Sequence, residues 1–290
     1  MSHQGMIIAE RSRDIGDFMV GRLLPFRKKR MVGPFIFIDH MGPSLVKSGH
    51  WIDIGQHPHI GLSTLTYLFE GSITHRDSIG SELDITPGSV NWMTAGKGVV
   101  HTERTPQALR DAGHEQRVHG FQIWVALPKE LEDMDPEFSH IPKEALPVWE
   151  EGTIRFKLIA GEAFGYRSPV PVYSELFMLE VRTQAAASFD AAGILKGEIG
   201  VCVVDGEIEA CGNRIEAGNM LVSKEEDVCK IHMPGPAHLL IFGGKPFAEP
   251  RHIFWNFVAS DQKTIEQARE RWKNKAFTMI EDDDSYIPLP

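Results

Sequence analysis

The sequence has few cysteines and no long apolar run. Three cysteines stand among its 290 residues, Cys202, Cys211 and Cys229, and their odd number and loose spacing match no disulfide framework and no zinc knuckle. We therefore expect reduced, buried thiols in a cytoplasmic protein. No segment is long and apolar enough to cross a bilayer, and the first residues lack the basic and then apolar pattern of a secretory signal. We expect no membrane association.

The sequence also has fewer basic than acidic residues, with 30 Lys and Arg against 40 Asp and Glu and a formal net charge of −10. An acidic surface repels the phosphate backbone, so this balance argues against direct binding of nucleic acid. The one basic run, residues 27–30, is interpreted as a solvated turn. A protein partner suits such a surface better than DNA does.

Strand and turn signals, by contrast, are abundant. Short runs of β-branched and aromatic residues bounded by Gly or Pro predict strands at residues 64–69, 121–125, 177–181 and 238–242. With 27 glycines and 18 prolines between such runs, the expected fold class is all-β, as a sandwich or barrel. Near the end, Ser260 or Asp261 can cap a short amphipathic helix. Its apolar face is predicted to carry Ile265, Ala268 and Trp272.

One strand–turn–strand pattern occurs twice. Residues 68–73 match residues 203–208, and residues 86–90 resemble residues 216–220. Two tandem copies of one β-fold is the economical interpretation.

Between the copies lies a stretch rich in Pro and acidic residues, which we interpret as a connector. We therefore expect an N-terminal domain at 1–130, a connector at 131–152 and a C-terminal domain at 153–290.

Two short clusters, His57-Pro58-His59 and His101-Thr102-Glu103, carry the chemistry. In an extended strand, residues i and i+2 point to the same face, so each cluster directs two ligand side chains the same way. If the fold brings the clusters together, three imidazoles and one carboxylate can hold one divalent ion. That donor set suits Fe(II), Mn(II), Ni(II), Cu(II) or Zn(II). On an octahedral ion it leaves two adjacent positions for a bidentate enolate, or for one substrate oxygen and dioxygen.

The repeat allows the second copy to be tested for ligands. The two sequence matches have different offsets, and they place apolar residues opposite all four candidate ligands: Ala192, Ile194, Ile231 and Met233. We therefore expect a C-terminal domain without a metal. Among the other histidines, His40 beside Asp39 is the best candidate to support a ligand from behind. His50, His75, His114 and His119 are interpreted as surface or supporting residues.

The clusters and the repeat together resemble the cupin superfamily, and within it the pirin family. Ser63 and Thr64 stand where cupins usually place a glutamate, and the carboxylate is found at Glu103, two residues beyond the last His. Pirins use that arrangement of three His and one Glu. Further stretches that resemble pirins are residues 33–40, 94–103, 161–165 and 168–170. Gly96 where cupins commonly have Pro, and Ile38 where pirins usually have Phe, are departures from the pattern.

The resemblance implies a bicupin in which His57, His59, His101 and Glu103 hold one divalent ion, with Fe(II) expected and Mn, Ni, Cu or Zn as alternatives. It also implies a metal-dependent dioxygenase of the quercetin 2,3-dioxygenase type. Its substrates would be O₂ and a small aromatic or enolic compound, and Glu103 would accept the hydroxyl proton. The alternative is a regulatory protein that senses iron redox state and binds transcription factors or metabolic enzymes. A sugar-phosphate isomerase ranks last, because no basic cluster adjoins the motifs.

Overall fold

The computed structural model describes residues 5–15, 19–224 and 230–290, and its strands confirm the expected all-β fold class. The strands before residue 142 are β1 Met6–Ala9, β2 Arg11–Asp14, β3 Met19–Leu24, β4 Phe35–Val46, β5 Asp53–His59, β6 Leu62–Glu70, β7 Ile73–Asp77, β8 Glu82–Ile85, β9 Val90–Thr94, β10 Val99–Arg104, β11 Gln116–Ala126 and β12 Glu137–Ile141. Those that follow are β13 Val148–Glu151, β14 Ile154–Ala163, β15 Tyr166–Arg167, β16 Leu176–Thr183, β17 Ala187–Phe189, β18 Glu198–Asp205, β19 Glu207–Ala210, β20 Asn213–Glu216, β21 Asn219–Lys224, β22 Ile231–Met233, β23 Ala237–Gly244, β24 His252–Phe254 and β25 Phe257–Ala259. The four predicted strand runs lie in β6, β11, β16 and β23.

The chain forms two compact units that are interleaved along the sequence. The first unit comprises the described parts of Ser12–Val20, Asp39–His140 and Ala248–Pro290, and the second those of Met1–Arg11, Gly21–Ile38 and Ile141–Phe247. This differs from a simple cut of the chain into 1–130, 131–152 and 153–290, a division that stays a prediction. Residues 137–141 of the expected connector form β12 and residues 148–151 form β13, so part of this stretch is built into sheets.

Two sheets consist largely of strands of the first unit. One has the order β5-β10-β7-β8, and the other has the order β12-β9-β6-β11-β4-β3-β2. The second unit has a large sheet in the order β1-β21-β18-β23-β16-β14-β13, with β15 on β14, and a smaller one in the order β17-β22-β19-β20. Strands β24 and β25 pair with each other. All the strand pairings between described neighbours in the small sheet of the first unit are antiparallel.

Matching turns confirm the internal repeat. Gly71 connects β6 to β7 with φ 85°, and Gly206 connects β18 to β19 with φ 79°. A Cβ atom at Gly71 would lie 2.4 Å from the Arg117 carbonyl oxygen, and one at Gly206 would lie 2.3 Å from that of Pro236. Both turns therefore need glycine for the same two reasons, the left-handed backbone and the close approach of a neighbouring strand.

Strand pairing corrects part of the comparison between the copies. His57 lies opposite His101 on paired strands in the first copy, and Phe189 lies opposite Ile231 in the second. The residue equivalent to His57 is therefore Phe189, whereas the predicted Ala192 and Ile194 lie in the turn after β17. The sequence offset failed because the loops on either side of the turn at Gly71 differ in length from their counterparts around Gly206 in the second copy. Phe189 and Ile231 belong to the buried core of the second unit, so the position is still apolar.

The C-terminal helix forms as predicted. Helix α2 spans Gln262–Lys273, and the Asp261 side chain accepts a hydrogen bond from the Lys263 N–H, which makes Asp261 rather than Ser260 the N-cap. The residues predicted on its apolar face are buried in the core of the first unit: Ile265, Ala268 and Trp272. A short helix α1, Gln107–Asp111, follows β10. None of the helices among the described residues has both the length and the apolar character to span a membrane.

The expectation of three reduced cysteines is wrong for Cys211, which takes part in a disulfide. Cys211 is half-buried at the turn between β19 and β20, and the spacing of the three cysteines along the sequence did not reveal the disulfide. Cys202 is a buried free thiol, as expected. Cys229 lies outside the described residues.

Candidate metal centre

The small sheet of the first unit brings the two sequence clusters together. Strand β5 carries His57 and His59, and its antiparallel neighbour β10 carries His101 and Glu103. His101 lies directly opposite His57, and a bulge between His101 and Glu103 shifts the register beyond that pair. His57 and His101 share one face of the sheet because they lie opposite each other, and the i, i+2 spacing places His59 and Glu103 on that face.

The three imidazoles form one compact group. Their ligand atoms lie within 4.8 Å of one another. Among the described residues, these three side chains form a group that could hold a metal ion. His59 Nε2 is 3.1 Å from His101 Nε2, and the ring centroids of His57 and His101 are 4.3 Å apart. Two imidazole nitrogens on one ion at ordinary bond lengths are about 3.0–3.4 Å apart, so this spacing fits shared coordination.

The contacts of the Nδ1 atoms leave the Nε2 atoms available to bind a metal ion. His57 Nδ1 donates a hydrogen bond to the Gly55 carbonyl oxygen at 2.8 Å, so the lone pair of that ring is on Nε2. His59 Nδ1 is buried and faces the backbone of Asn256 without a hydrogen bond of normal geometry. His59 Nε2 and His101 Nε2 face each other, and with the proton of each ring on Nδ1 both would offer a lone pair to a cation between them. The donor set therefore fits a divalent metal ion.

Burial keeps the three rings neutral. Desolvation lowers the pKa of His57, although the nearby Glu103 carboxylate works in the opposite direction. Desolvation and the neighbouring imidazoles lower the pKa of His59 and of His101 well below the usual value. Neutral imidazole is the form that binds metals, so these rings are ready for coordination at neutral pH.

Glu103 is buried beside the imidazoles but does not belong to the compact group of ligand atoms. Its Oε1 accepts a hydrogen bond of 2.9 Å from the Thr66 hydroxyl on β6. The Thr66 oxygen also lies 2.7 Å from the side-chain oxygen of Gln122 on β11. The fourth ligand predicted from the sequence is thus close to the site and held by a hydroxyl from the facing sheet, and its coordination stays a prediction.

A third pair of the same kind, His75 and Asp77, lies on β7; the sequence analysis interpreted His75 as a surface or supporting residue and did not consider Asp77. His75 Nδ1 is 3.3 Å from His101 Nδ1, and His75 Nε2 is 2.9 Å from Asp77 Oδ2. Both residues are buried, with about 3% of their surface exposed. The signal was present in the sequence, since His75-Arg76-Asp77 repeats the spacing of the two known clusters on the strand next to β10.

His40, the residue predicted to support a ligand, has a different recorded partner. His40 Nε2 lies 2.9 Å from His119 Nε2, and its ring stacks on Phe121 at 4.5 Å between centroids. The support of a ligand by His40 stays a prediction, whereas His75 contacts the candidate ligand His101 from behind.

The C-terminal segment covers the other side of β5. The Gln56 side chain accepts a hydrogen bond from the Ile280 N–H at 2.7 Å and donates one to the Asp283 carbonyl oxygen. Arg104, which follows Glu103, forms an ion pair with Asp283. Residues 280–287 therefore fix the strands that carry the candidate ligands from outside the site.

Comparison with known proteins agrees with this geometry. A family model described as pirin matches residues 17–125, and one described as pirin C-terminal cupin domain matches residues 178–278. A pirin-like protein of Caulobacter vibrioides is 44% identical over 291 residues, which cover 98% of this chain and 99% of the relative.

Solved structures show the same fold. Quercetin 2,3-dioxygenase from Acinetobacter baumannii superposes with a TM-score of 0.90 at 36% identity, over 98% of this chain and 94% of that chain. A bacterial pirin from Escherichia coli in complex with nickel(II) shares the fold with a TM-score of 0.65 at 19% identity, over 83% of this chain and 99% of that chain. Because two family models together match most of the chain and a full-length relative is 44% identical, the chain belongs to the pirin family, with its tandem cupin domains.

Proposed function

We propose that the protein is a metal-dependent dioxygenase that cleaves small aromatic substrates with an enolic hydroxyl, of the quercetin 2,3-dioxygenase type. The observation that carries the proposal is the group of three buried imidazoles, whose ligand nitrogens lie within 4.8 Å of one another beside a carboxylate. The solved quercetin 2,3-dioxygenase with a TM-score of 0.90 supports the choice of reaction.

In this proposal His57, His59 and His101 hold one divalent ion, and Glu103 is its fourth ligand. Fe(II) is our first choice, and nickel is a strong second because a bacterial pirin was solved with nickel(II). A divalent ion in this donor set supplies Lewis acidity toward an enolic oxygen and a site for oxygen chemistry. The remaining chemistry belongs to the residues around it.

The facing sheet supplies a mixed polar and aromatic wall. Thr66 contacts Glu103, and in strand register it stands beside Asn91 on β9 and Gln122 on β11. Two residues along, Thr64 stands beside Met93 and Trp124.

Trp124 makes an edge contact with His59 at 5.1 Å between ring centroids. A flat aromatic substrate fits against such a wall, because the apolar part offers contact area and the polar part pairs with hydroxyl groups.

In this proposal Glu103 accepts the proton of the substrate hydroxyl. Its carboxylate is buried, which excludes water from competing for the proton, and Thr66 holds one of its oxygens in place. Loss of this proton leaves the substrate as an enolate, whose negative oxygen is attracted to a cationic site.

Oxygen consumption tests the proposal. Protein loaded anaerobically with Fe(II), and separately with Ni(II), is mixed with air-saturated buffer and a flavonol, and oxygen uptake is followed together with loss of flavonol absorbance. We expect turnover that His101→Ala abolishes. Equal rates in the wild type and in the His101→Ala variant, with every metal tried, would show that the site does not catalyse this reaction.

The regulatory alternative, an iron-dependent redox sensor that binds a transcription factor or a metabolic enzyme, stays a prediction. Within the described residues we find no surface whose chemistry argues for a particular protein partner. The acidic balance of 40 Asp and Glu against 30 Lys and Arg is its sole support.

A further inference from the structure

We propose that the buried pair His75 and Asp77 is a positioning device for the metal site, which fixes the proton of His101 on Nδ1 and so presents the Nε2 lone pair to the ion. The proposal rests on the proposed function in taking His101 as a ligand. It goes further by giving a role to two residues outside the ligand set.

The contacts of Asp77 determine the direction of every hydrogen bond in the group. Asp77 Oδ1 accepts hydrogen bonds from the Ile79 and Ser81 N–H groups at 3.1 and 2.9 Å. Its other oxygen, Oδ2, is left to face His75 Nε2 at 2.9 Å. A carboxylate can accept but not donate, so His75 Nε2 carries the proton in this contact.

The proton on His75 Nε2 has a consequence at His101. In a neutral ring it leaves a lone pair on His75 Nδ1, which then accepts a hydrogen bond from His101 Nδ1 across 3.3 Å. His101 in turn has its lone pair on Nε2, the atom that faces His59 Nε2. Asp77 thus determines which ring nitrogen of His101 carries the proton, through two successive hydrogen bonds.

The surroundings keep this arrangement rigid. The ring of His75 stacks on Phe138, with 4.8 Å between centroids and 23° between planes. Asp77 lies directly opposite His101 on paired strands, and His75 lies opposite Glu103. Groups that orient a metal-binding histidine in this way strengthen binding by about 10- to 100-fold.

Asp77→Asn provides a sharp test because the amide reverses the chain of hydrogen bonds. In this variant the side-chain oxygen remains with the Ile79 and Ser81 N–H groups, so the NH₂ group of the amide faces His75 Nε2. His75 must then accept at Nε2 and donate from Nδ1, which forces His101 to carry its proton on Nε2, toward the metal. An amide in place of a triad carboxylate produces a wrong tautomer by the same logic.

The experiment has two readouts on the purified full chain. The first is the tautomer of His101 in metal-free protein, from ¹⁵N chemical shifts of the histidine side chains. The second is the dissociation constant for Ni(II), from calorimetry. For Asp77→Asn we expect His101 to switch from the Nδ1–H to the Nε2–H form, together with a loss in Ni(II) affinity of about 10- to 100-fold. His75→Gln, whose side-chain oxygen can accept from His101 Nδ1, should bind more tightly than His75→Phe, which cannot accept.

A matched control comes from the second unit. His238 Nε2 is 3.1 Å from Glu180 Oε1, so His238→Phe also removes a buried histidine paired with a carboxylate. We expect it to leave Ni(II) affinity and the His101 tautomer unchanged. An unchanged His101 tautomer in folded Asp77→Asn, or equal Ni(II) affinity in all variants, would overturn the proposal. Failure of the wild type to consume oxygen would count against the dioxygenase function alone, because neither readout depends on turnover.

Discussion

At the scale of single residues, the site differs from a simple row of ligands in having two layers. His57, His59 and His101 form the inner layer, and each is fixed by a partner or by burial. Thr66 and His75 lie behind Glu103 and His101, respectively. In the proposed metal site, the side chains behind the candidate ligands therefore contribute to the chemistry as well.

Glu103 and Thr66 offer a graded test of the proton acceptor. Glu103→Gln removes the base but keeps the shape, so we expect kcat for a flavonol to fall by about 10²- to 10⁴-fold. Thr66→Val removes one hydrogen bond to the carboxylate and keeps the base, so we expect a fall of about 10-fold. Steady-state oxygen uptake at saturating flavonol measures both.

The order of the two effects is what matters for the assignment. If Thr66→Val were as damaging as Glu103→Gln, the hydroxyl would be required in its own right, and Glu103 would not be the acceptor. Metal content of each variant, measured by elemental analysis, separates loss of catalysis from loss of the ion.

At the scale of elements, the sequence predicted where strands form and which side chains share a face of a strand. It predicted less well which strands and segments contact each other. The i, i+2 spacing correctly placed His57 with His59, because alternation is a local property of a strand. It could not show that β7 lies beside β10, which is a long-range pairing, and so His75 was not distinguished from the other histidines interpreted as surface or supporting residues. The covering of β5 by residues 280–287 was likewise invisible, because the partners of Gln56 lie far away along the chain.

The contact between β10 and the C-terminal segment is sensitive to acid. Burial by itself raises the pKa of Asp283, but hydrogen bonds from Arg104 and Ser285 outweigh it and lower the pKa from 3.8 to about 2. A carboxylate with a lower pKa in the folded than in the unfolded chain stabilises the fold above the unfolded value. That contribution is lost as the pH falls toward 2.

We therefore expect Asp283→Asn to destabilise the protein by about 1 kcal/mol near neutral pH, once solvent screening of the partly exposed Arg104 is allowed for. The difference from the wild type should shrink as the pH is lowered from about 6 to about 3. Urea unfolding at several pH values measures it. Asp111→Asn, on exposed α1, is the control and should show no such trend. A difference that grows in acid would contradict the assigned ion pair.

At the scale of the whole molecule, the two copies of the fold have diverged in what their equivalent strands carry. The turns at Gly71 and Gly206 are alike in backbone and in packing. The position of His57, in contrast, corresponds to Phe189 in the core of the second unit. The sequence repeat could reveal the first similarity because turn glycines are hard to replace. It gave the wrong equivalent for His57 because loop lengths differ between the copies. The pairing of strands identifies Phe189 as the equivalent residue.

This divergence predicts one ion per chain. Protein purified without added metal and then titrated with Ni(II) should bind a single equivalent, and His59→Ala should abolish binding. His232, a half-buried histidine on β22 that contacts Ser188, serves as the control in the second copy, and His232→Ala should bind one equivalent as the wild type does.

The same titration should stabilise the fold by mass action, by about 2.7 kcal/mol when free Ni(II) is 100-fold above its dissociation constant. Two equivalents in the wild type, or loss of binding in His232→Ala, would mean that the second copy also holds a metal. The core at Phe189 and Ile231 argues against that outcome, because neither side chain offers a ligand atom and both are closed off from water.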